Sequence, residues 1–264
     1  MRTVAWQRGV PPRRIQRSVA NTVLGQVLPA GVVKGGTGLK LRVGETGSRF
    51  TPDFDAALAG PVEQFHCDLE DALRAGWHRF TGAVARDLPE TPTGVPGAYV
   101  MRPFRVKMRY VGRPWLTIDL EVGHDEIGCA QDADLCIAPD IVALFAELGL
   151  PEPGPVPVMR ITHQVAQKLH ALTSPHSDRV RDLVDLQLLT AEGRLDKVAA
   201  RSVAVRLFRF RARHPWPPVL TPTPRWESLY AAASEDLPVV PELRTAVEWC
   251  RTLVADIDAA VQDN

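Results

Sequence analysis

The chain has no Cys-x-x-C pair, no apolar run of membrane-spanning length, no secretory leader pattern and no net charge. Each absence excludes something. The four cysteines, Cys67, Cys129, Cys136 and Cys250, are scattered along 264 residues. That spacing argues against a zinc knuckle or a disulfide framework and for a reducing compartment. None of the seven histidines stands at H-x-x-x-H or H-E-x-x-H spacing, so none is a candidate zinc ligand. Without a spanning segment, no membrane association and a cytoplasmic location are expected. Lysine is scarce: five lysines leave 26 of the 31 basic residues as arginine, a bias that reads as a GC-rich bacterial coding sequence. There is no internal repeat and no low-complexity tract.

Zero net charge conceals an uneven distribution. Residues 1–49 carry nine bases (Arg2, Arg8, Arg13, Arg14, Arg17, Lys34, Lys40, Arg42 and Arg49) against one acid, Glu45. Residues 225–264 carry eight acids and three bases. A basic front of this kind suggests a polyanionic partner near it. The arginine-rich start reads as a basic first helix rather than a presequence, because apolar patterning continues through it.

Apolar spacing predicts a helix over Ile15–Leu28, closed by Pro29-Ala30-Gly31. A short strand, Val32-Val33, should then run into Lys34-Gly35-Gly36-Thr37, with the next helix opening at Gly38. A second strand is expected over Phe50–Phe54, a helix over Val62–Ala75, and a hairpin of Tyr99–Tyr110 with Pro114–Val122 turning at Gly112-Arg113. Residues 151–157 (PEPGPVP) read as a hinge, since their proline density opposes helix and ladder pairing. Helices follow at Ile161–Leu172, Arg179–Ala191, Leu195–His214 and Leu243–Val261. The expected architecture is α+β: a lobe with a mixed sheet and flanking helices over 1–155, then a mostly helical lobe over 156–264 that completes a cleft.

Two short motifs carry the chemistry. Glycines at a strand-to-helix turn let backbone N–H groups approach a triphosphate at a helix N-terminus; Lys34-Gly35-Gly36-Thr37 supplies this. Mg²⁺ wants hard oxygen ligands, and Asp53-Phe54-Asp55 supplies two carboxylates. Strand alternation points both the same way, with Phe54 toward the core. Alone, a Gly-Gly-Thr is usually only a turn and an Asp-x-Asp a solvated edge; the coupling of the two indicates a site. Pro52 indicates that the aspartates sit at a sheet edge or a strand end. A third acid is expected on a neighbouring strand, with Asp119 as the candidate ligand and Glu121, on the same face, in reserve. Lys34 has two readings, a surface charge or support for phosphate.

The segment KGGTGLKLRVGETGSRFTPDFDAAL resembles the signature of the AbiEii/AbiGii nucleotidyltransferase-fold toxins, in which a Lys-Gly-Gly-Ser/Thr turn precedes Arg-x-Ser/Thr-x-Asp-x-Asp. Here these are Lys34 to Thr37, Arg49, Thr51, Asp53 and Asp55. Downstream, KLHALTSPHSDRVRDLVDLQLL is similar to the family's second conserved stretch and matches it at Lys168, Ala171, Leu172, Arg179, Arg181, Asp182 and Asp185. The resemblance implies a nucleotidyltransferase with an NTP such as ATP as donor, pyrophosphate as product and Mg²⁺ as cofactor. It implies an RNA acceptor, the 3′ end of tRNA, whose modification blocks translation and growth, and a cognate antitoxin. Asp53, Asp55, Lys168 and Asp182 would be catalytic, with Asp53, Asp55 and Asp119 on the metal. Lys34, Gly35, Gly36, Thr37 and Thr51 would cradle the nucleotide.

Other readings stay open. The acceptor could be a protein or an aminoglycoside-type small molecule, or the chain could be an inactive nucleotide-binding partner. Asp182 and Asp185 are three apart on one helical face, and one of them could take a proton, hold Lys168 or orient Arg181; equally Asp182 could be a first-turn acid serving the helix dipole. Asp185 is expected to pair with Arg179 or Arg181. The stretch Arg206–His214 interleaves arginines with Phe208 and Phe210, which suits RNA and equally suits a helix with a core side.

Overall fold

The computed structural model describes residues 1–85, 101–191, 193 and 195–261. Its contacts divide the chain into two units. One comprises Met1–Glu45 and Phe50–Met159; the other comprises Thr46–Arg49 and the residues from Arg160 onward.

The first unit is a mixed α/β structure built on a seven-stranded sheet. In chain order its elements are α1 (Arg2–Gln7), α2 (Pro12–Gln26), β1 (Val32–Lys34), α3 (Gly35–Val43), β2 (Phe54–Leu58), α4 (Val62–Ala75), β3 (Phe80–Val84), β4 (Arg102–Tyr110), β5 (Arg113–His124), β6 (Ala133–Cys136), α5 (Pro139–Glu147) and β7 (Val156–Met159). The strand order is β3-β4-β5-β2-β1-β7-β6. β1 runs parallel to β7 and β2 parallel to β5; the remaining neighbours are antiparallel. In α2, Pro12 opens the helix, and Ile15, Val19 and Val23 recur every fourth residue as a fully buried stripe. That stripe joins one core with Val33, Phe54, Leu120, Val122, Phe104, Val106 and Met108 from one face of the sheet and with helices α4 and α5.

Several boundaries differ from expectation, each for a physical reason. β2 begins at Phe54, where the predicted strand was to end, because Pro52 has no N–H to give a ladder. α3 begins at Gly35, three residues early, since Gly35 at φ +60° lets the chain turn from strand directly into helix. The end of the proline-rich hinge enters a strand: in β7, Pro157 pairs with Leu135 of β6. A proline fits there because β1 registers with β7 at one position only, Val33 with Val158. The β4–β5 hairpin turns at Val111–Gly112, both at positive φ; Tyr99 and Val100 of the predicted strand lie outside the described residues.

The basic front is largely consumed internally. Arg8 binds Asp140 at 2.5 Å and Glu147 at 2.7 Å. Arg14 and Lys40 both bind the fully buried Glu45, Lys40 at 2.7 Å. Arg42 binds Asp134 at 2.8 Å, and Arg17 donates to the Thr117 carbonyl at 2.9 Å. Apart from Glu45, the partners come from distant parts of the chain, so a local count of charge misjudged the surface.

The second unit is helical: α6 (Ile161–Leu172), α7 (Arg181–Thr190), α8 (Lys197–Arg211), α9 (Trp226–Ser234) and α10 (Leu243–Ala259). α7 is its centre, buried from Asp182 through Leu189. A helix buried all round must satisfy its polar side chains inside. Gln187 does so by donating to the Tyr230 hydroxyl and accepting from the Val240 N–H. Asp196 caps α8 by accepting from the Ala199 N–H. Leu207 and Phe208 form the core side of α8, while Phe210 is partly exposed. No helix among the described residues is long and apolar enough to cross a membrane.

Candidate active site

Three strands carry a row of ionisable side chains across the sheet. Lys34 on β1 pairs in register with Asp55 on β2, and Asp55 pairs with Glu121 on β5. Paired residues share a face, so all three lie on the face opposite the core residues Val33, Phe54 and Leu120. Asp53 stands two residues before Asp55, just outside β2, and is exposed; Asp55 is half-buried. Glu121 feels this crowding. Burial first, then Asp55 and Asp53, push its carboxyl above the usual carboxylate range, with Lys34 acting against them. Asp119 is on the same face, but its side chain is 65 % exposed and lies 3.6 Å from Arg105.

The glycine turn is pressed against these carboxylates. A methyl group on Gly35 would meet Asp55 Oδ2 at 2.0 Å, and one on Gly36 would meet Thr51 Oγ1 at 2.8 Å. Thr51 is itself buried. α3 starts without a side-chain cap and without an acid in its first turn. A helix start without a side-chain cap leaves its first N–H groups open to an anion. Thr37, expected among the phosphate contacts, is 1 % exposed. Its hydroxyl donates to the Asp53 carbonyl at 2.9 Å and accepts from Asn21 Nδ2 at 3.1 Å, so it ties α2 and α3 to the aspartate segment.

Gly35→Ala is accordingly expected to cost about 1–3 kcal/mol of stability, because an L-residue is strained at φ +60°. The added methyl also forces the Asp55 carboxylate aside. Any activity that uses Asp55 should fall far more than stability does; equal losses in a melting curve and a turnover assay would contradict this.

Arg17 and Asn21 were not anticipated. They sit four apart on α2, hence on one side of it, and reach Thr117 and Thr37. The available signal was Arg17 and Asn21 standing four apart, at helical spacing, in α2.

Lys168, Asp182 and Asp185 form a separate network within the second unit, joined by Arg49. Lys168 Nζ lies 3.1 Å from Asp182 and 2.6 Å from Asp185. Arg49 grips Asp185 with two bonds, at 2.8 and 2.9 Å, and Arg179 binds Asp182 at 2.7 Å. Asp185 thus pairs with Lys168 and Arg49 rather than with Arg179 or Arg181. Burial opposes its charge, but Lys168 and Arg49 override burial and hold the carboxyl down at about 2. Burial likewise opposes the charge on Lys168, and Asp185 and Asp182 outweigh it, keeping the ammonium above the ordinary lysine value.

Among the described residues no three His, Cys, Asp or Glu side chains form a ready metal cage. Mg²⁺ seldom needs one: it is commonly held by one or two carboxylates together with substrate phosphates and water. Asp53 and Asp55, beside an uncapped helix start, fit that pattern.

The sequence model for the nucleotidyltransferase AbiEii toxin of type IV toxin–antitoxin systems matches residues 22–261. No curated protein matches the chain. Among solved structures, MenT4, a nucleotidyltransferase toxin of Mycobacterium tuberculosis H37Rv, is similar over 93 % of this chain and 84 % of its own, with a TM-score of 0.55 and 20 % identity. JHP933 of Helicobacter pylori aligns over 94 % of this chain and 93 % of its own, at TM-score 0.48 and 14 % identity. The family match spans nearly the whole chain and includes the glycine turn, both aspartates and the Lys168–Asp185 network: this chain belongs to the AbiEii family and is a nucleotidyltransferase toxin of a type IV toxin–antitoxin system.

Proposed function

We propose that the protein transfers a nucleoside monophosphate from an NTP to the 3′ end of an RNA, with tRNA as the acceptor, and so blocks translation and growth until its antitoxin intervenes. The observation that carries this reading is the uncapped start of α3 with Gly35 lying directly on the Asp55 carboxylate. An anion-binding helix end therefore stands within reach of carboxylates suited to Mg²⁺.

In the reaction the acceptor hydroxyl oxygen bonds to the α-phosphorus, the bond from that phosphorus to the β-phosphate oxygen breaks, and pyrophosphate leaves. The Gly35–Gly36 backbone admits the phosphates closely, and the first N–H groups of α3 bind them. Lys34, in register with Asp55, adds a positive point charge on the same face. Asp53 and Asp55 would hold Mg²⁺, which supplies Lewis-acid stabilisation of the charge on the departing pyrophosphate. Glu121, in register with Asp55 on the neighbouring strand, takes the proton from the acceptor hydroxyl. Asp119, exposed and beside Arg105, is left out of the ion-holding pair.

Glu121→Gln should lower transfer by about 10²–10⁴-fold, remove the acid limb of the pH–rate profile and leave NTP binding intact. Asp119→Asn should change transfer little. The reverse order of effects would reassign the third acid. The reaction itself is tested by incubating the protein with Mg²⁺, each α-labelled NTP in turn and total bacterial tRNA, followed by a denaturing gel. Label in tRNA supports the reading and names the base. Label in protein, with none in tRNA, moves the acceptor to another class. Mg²⁺-dependent NTP binding without any transfer favours an inactive partner protein.

A further inference from the structure

The face that carries Lys34, Asp55 and Glu121 continues outward along β4. Pro103 pairs with Glu121, and from Pro103 every second residue of β4 shares its face: Arg105, Lys107 and Arg109, all exposed. Met108, Val106 and Phe104 alternate with them into the core. The three bases form a row that starts one pleat repeat from the ionisable row and extends for about 13 Å at roughly 6.7 Å per two residues, with the β4–β5 register shifting between Met108 and Arg109. In the ladder, Arg105 faces Asp119, whereas Lys107 faces Thr117 and Ala83, and Arg109 faces Pro114 and Thr81. No acid stands opposite the outer two.

We propose that this strand face is the track on which the single-stranded 3′ end of the acceptor RNA lies, its phosphates on Arg109, Lys107 and Arg105 and its terminal hydroxyl at Glu121. This rests on the RNA reading given above. Charge complementarity supports it: a row of bases leads to a site that consumes a 3′ hydroxyl, and electrostatic grooves of this kind follow a single-stranded backbone. The repeat of a β-strand face is close to the phosphate spacing of an extended strand, so successive bases can meet successive phosphates. A protein partner suits the face less well. Among the described residues, none of the exposed large apolar side chains lies in β3, β4 or β5, and protein interfaces depend on such anchors. The sequence holds the signal in plain view, as RPFRVKMRY alternates bases with apolar residues.

The test is fluorescence anisotropy with a short 5′-fluorescein-labelled single-stranded RNA of mixed sequence, titrated at several salt concentrations. Three proteins are compared: wild type, Arg105→Gln/Lys107→Gln/Arg109→Gln, and Arg206→Gln/Arg209→Gln/Arg213→Gln, which removes as many charges from α8 and the residues after it. Loss of three phosphate contacts should flatten the plot of log affinity against log salt by about 2 in the β4 variant and not in the α8 variant. Arg105→Lys/Lys107→Arg/Arg109→Lys should restore the slope, which an unfolded sheet could not do. Equal slopes in wild type and the β4 variant, equal flattening in both triple variants, or no RNA binding by wild type would overturn the proposal. The labelled-NTP assay separates the two readings. Transfer into tRNA with an unchanged binding slope removes the track and keeps the reaction. Binding lost with the β4 charges, in a protein that labels no RNA, keeps the track and removes the reaction.

Discussion

Replacing Asp53 by alanine is expected to reduce nucleotidyl transfer by at least about 10³-fold, the scale of losing a group that stabilises charge in the transition state, while the protein stays folded. The second half follows from the geometry. Asp53 is exposed and precedes β2. The contact it makes with Thr37 uses its backbone carbonyl, not its carboxylate. Truncating the side chain leaves that bond, the β2 register and Phe54 in place, so unfolding free energy should change by no more than about 0.5 kcal/mol. Labelled-NTP transfer and a denaturant titration on the same preparation check both statements. Full transfer by the variant would remove Asp53 from the ion-holding pair.

Lys168→Met is expected to have the largest effect on stability, a loss of about 3–5 kcal/mol, as when one partner of a buried ion network is deleted. Lys168 is 7 % exposed and faces two carboxylates at 1 % and 0 % exposure. Arg49 and Arg179 remain to hold one each, which favours the lower end of that range. The pH dependence should change sign. In the wild type, Asp185 is held at about 2, below its unfolded value near 3.8. Its contribution is therefore present above roughly pH 4 and lost as pH falls through about 2. Lys168 is raised, so its contribution is complete below about 10.5 and lost only as pH climbs past its folded value. Between those limits the network should be insensitive to pH. In the variant a carboxylate buried without its ammonium gains proton affinity, and stability should rise as pH is lowered from 7 toward 4–5. Urea titrations across that range decide it; a variant that loses stability on acidification would show that Arg49 and Arg179 suffice for both aspartates.

Much of the fold was legible because it depends on patterns within single elements. The helices at Val62–Ala75 and Ile161–Leu172 were read from apolar spacing with the boundaries they have. The turn glycines and the paired aspartates were read from the geometry that Mg²⁺ and phosphate demand. β7 was missed because Pro157 and the prolines before the strand advertise a break, and only the neighbouring strands show that Pro157 is tolerated. β6 and α9 were missed for want of a strong period. The basic front misled because charge was counted along the chain, whereas Asp134, Asp140 and Glu147, which neutralise Arg42 and Arg8, arrive from nearly a hundred or more residues away.

By itself, then, the sequence determined which local shapes could form and which side chains could do chemistry: a glycine turn at a helix start, two carboxylates one residue apart, a lysine followed by two aspartates on one helix. Tertiary structure alone decided which of those groups meet. Strand register set Lys34, Asp55 and Glu121 in one row and left Asp119 beside Arg105. Packing turned Thr37 inward to hold the Asp53 carbonyl, and brought Arg49 to Asp185 across 136 residues. The reason is physical: backbone propensity and hydrophobic period act over a few residues, while the sign and strength of an ionic contact depend on distances that exist only once the sheet and the helices have closed.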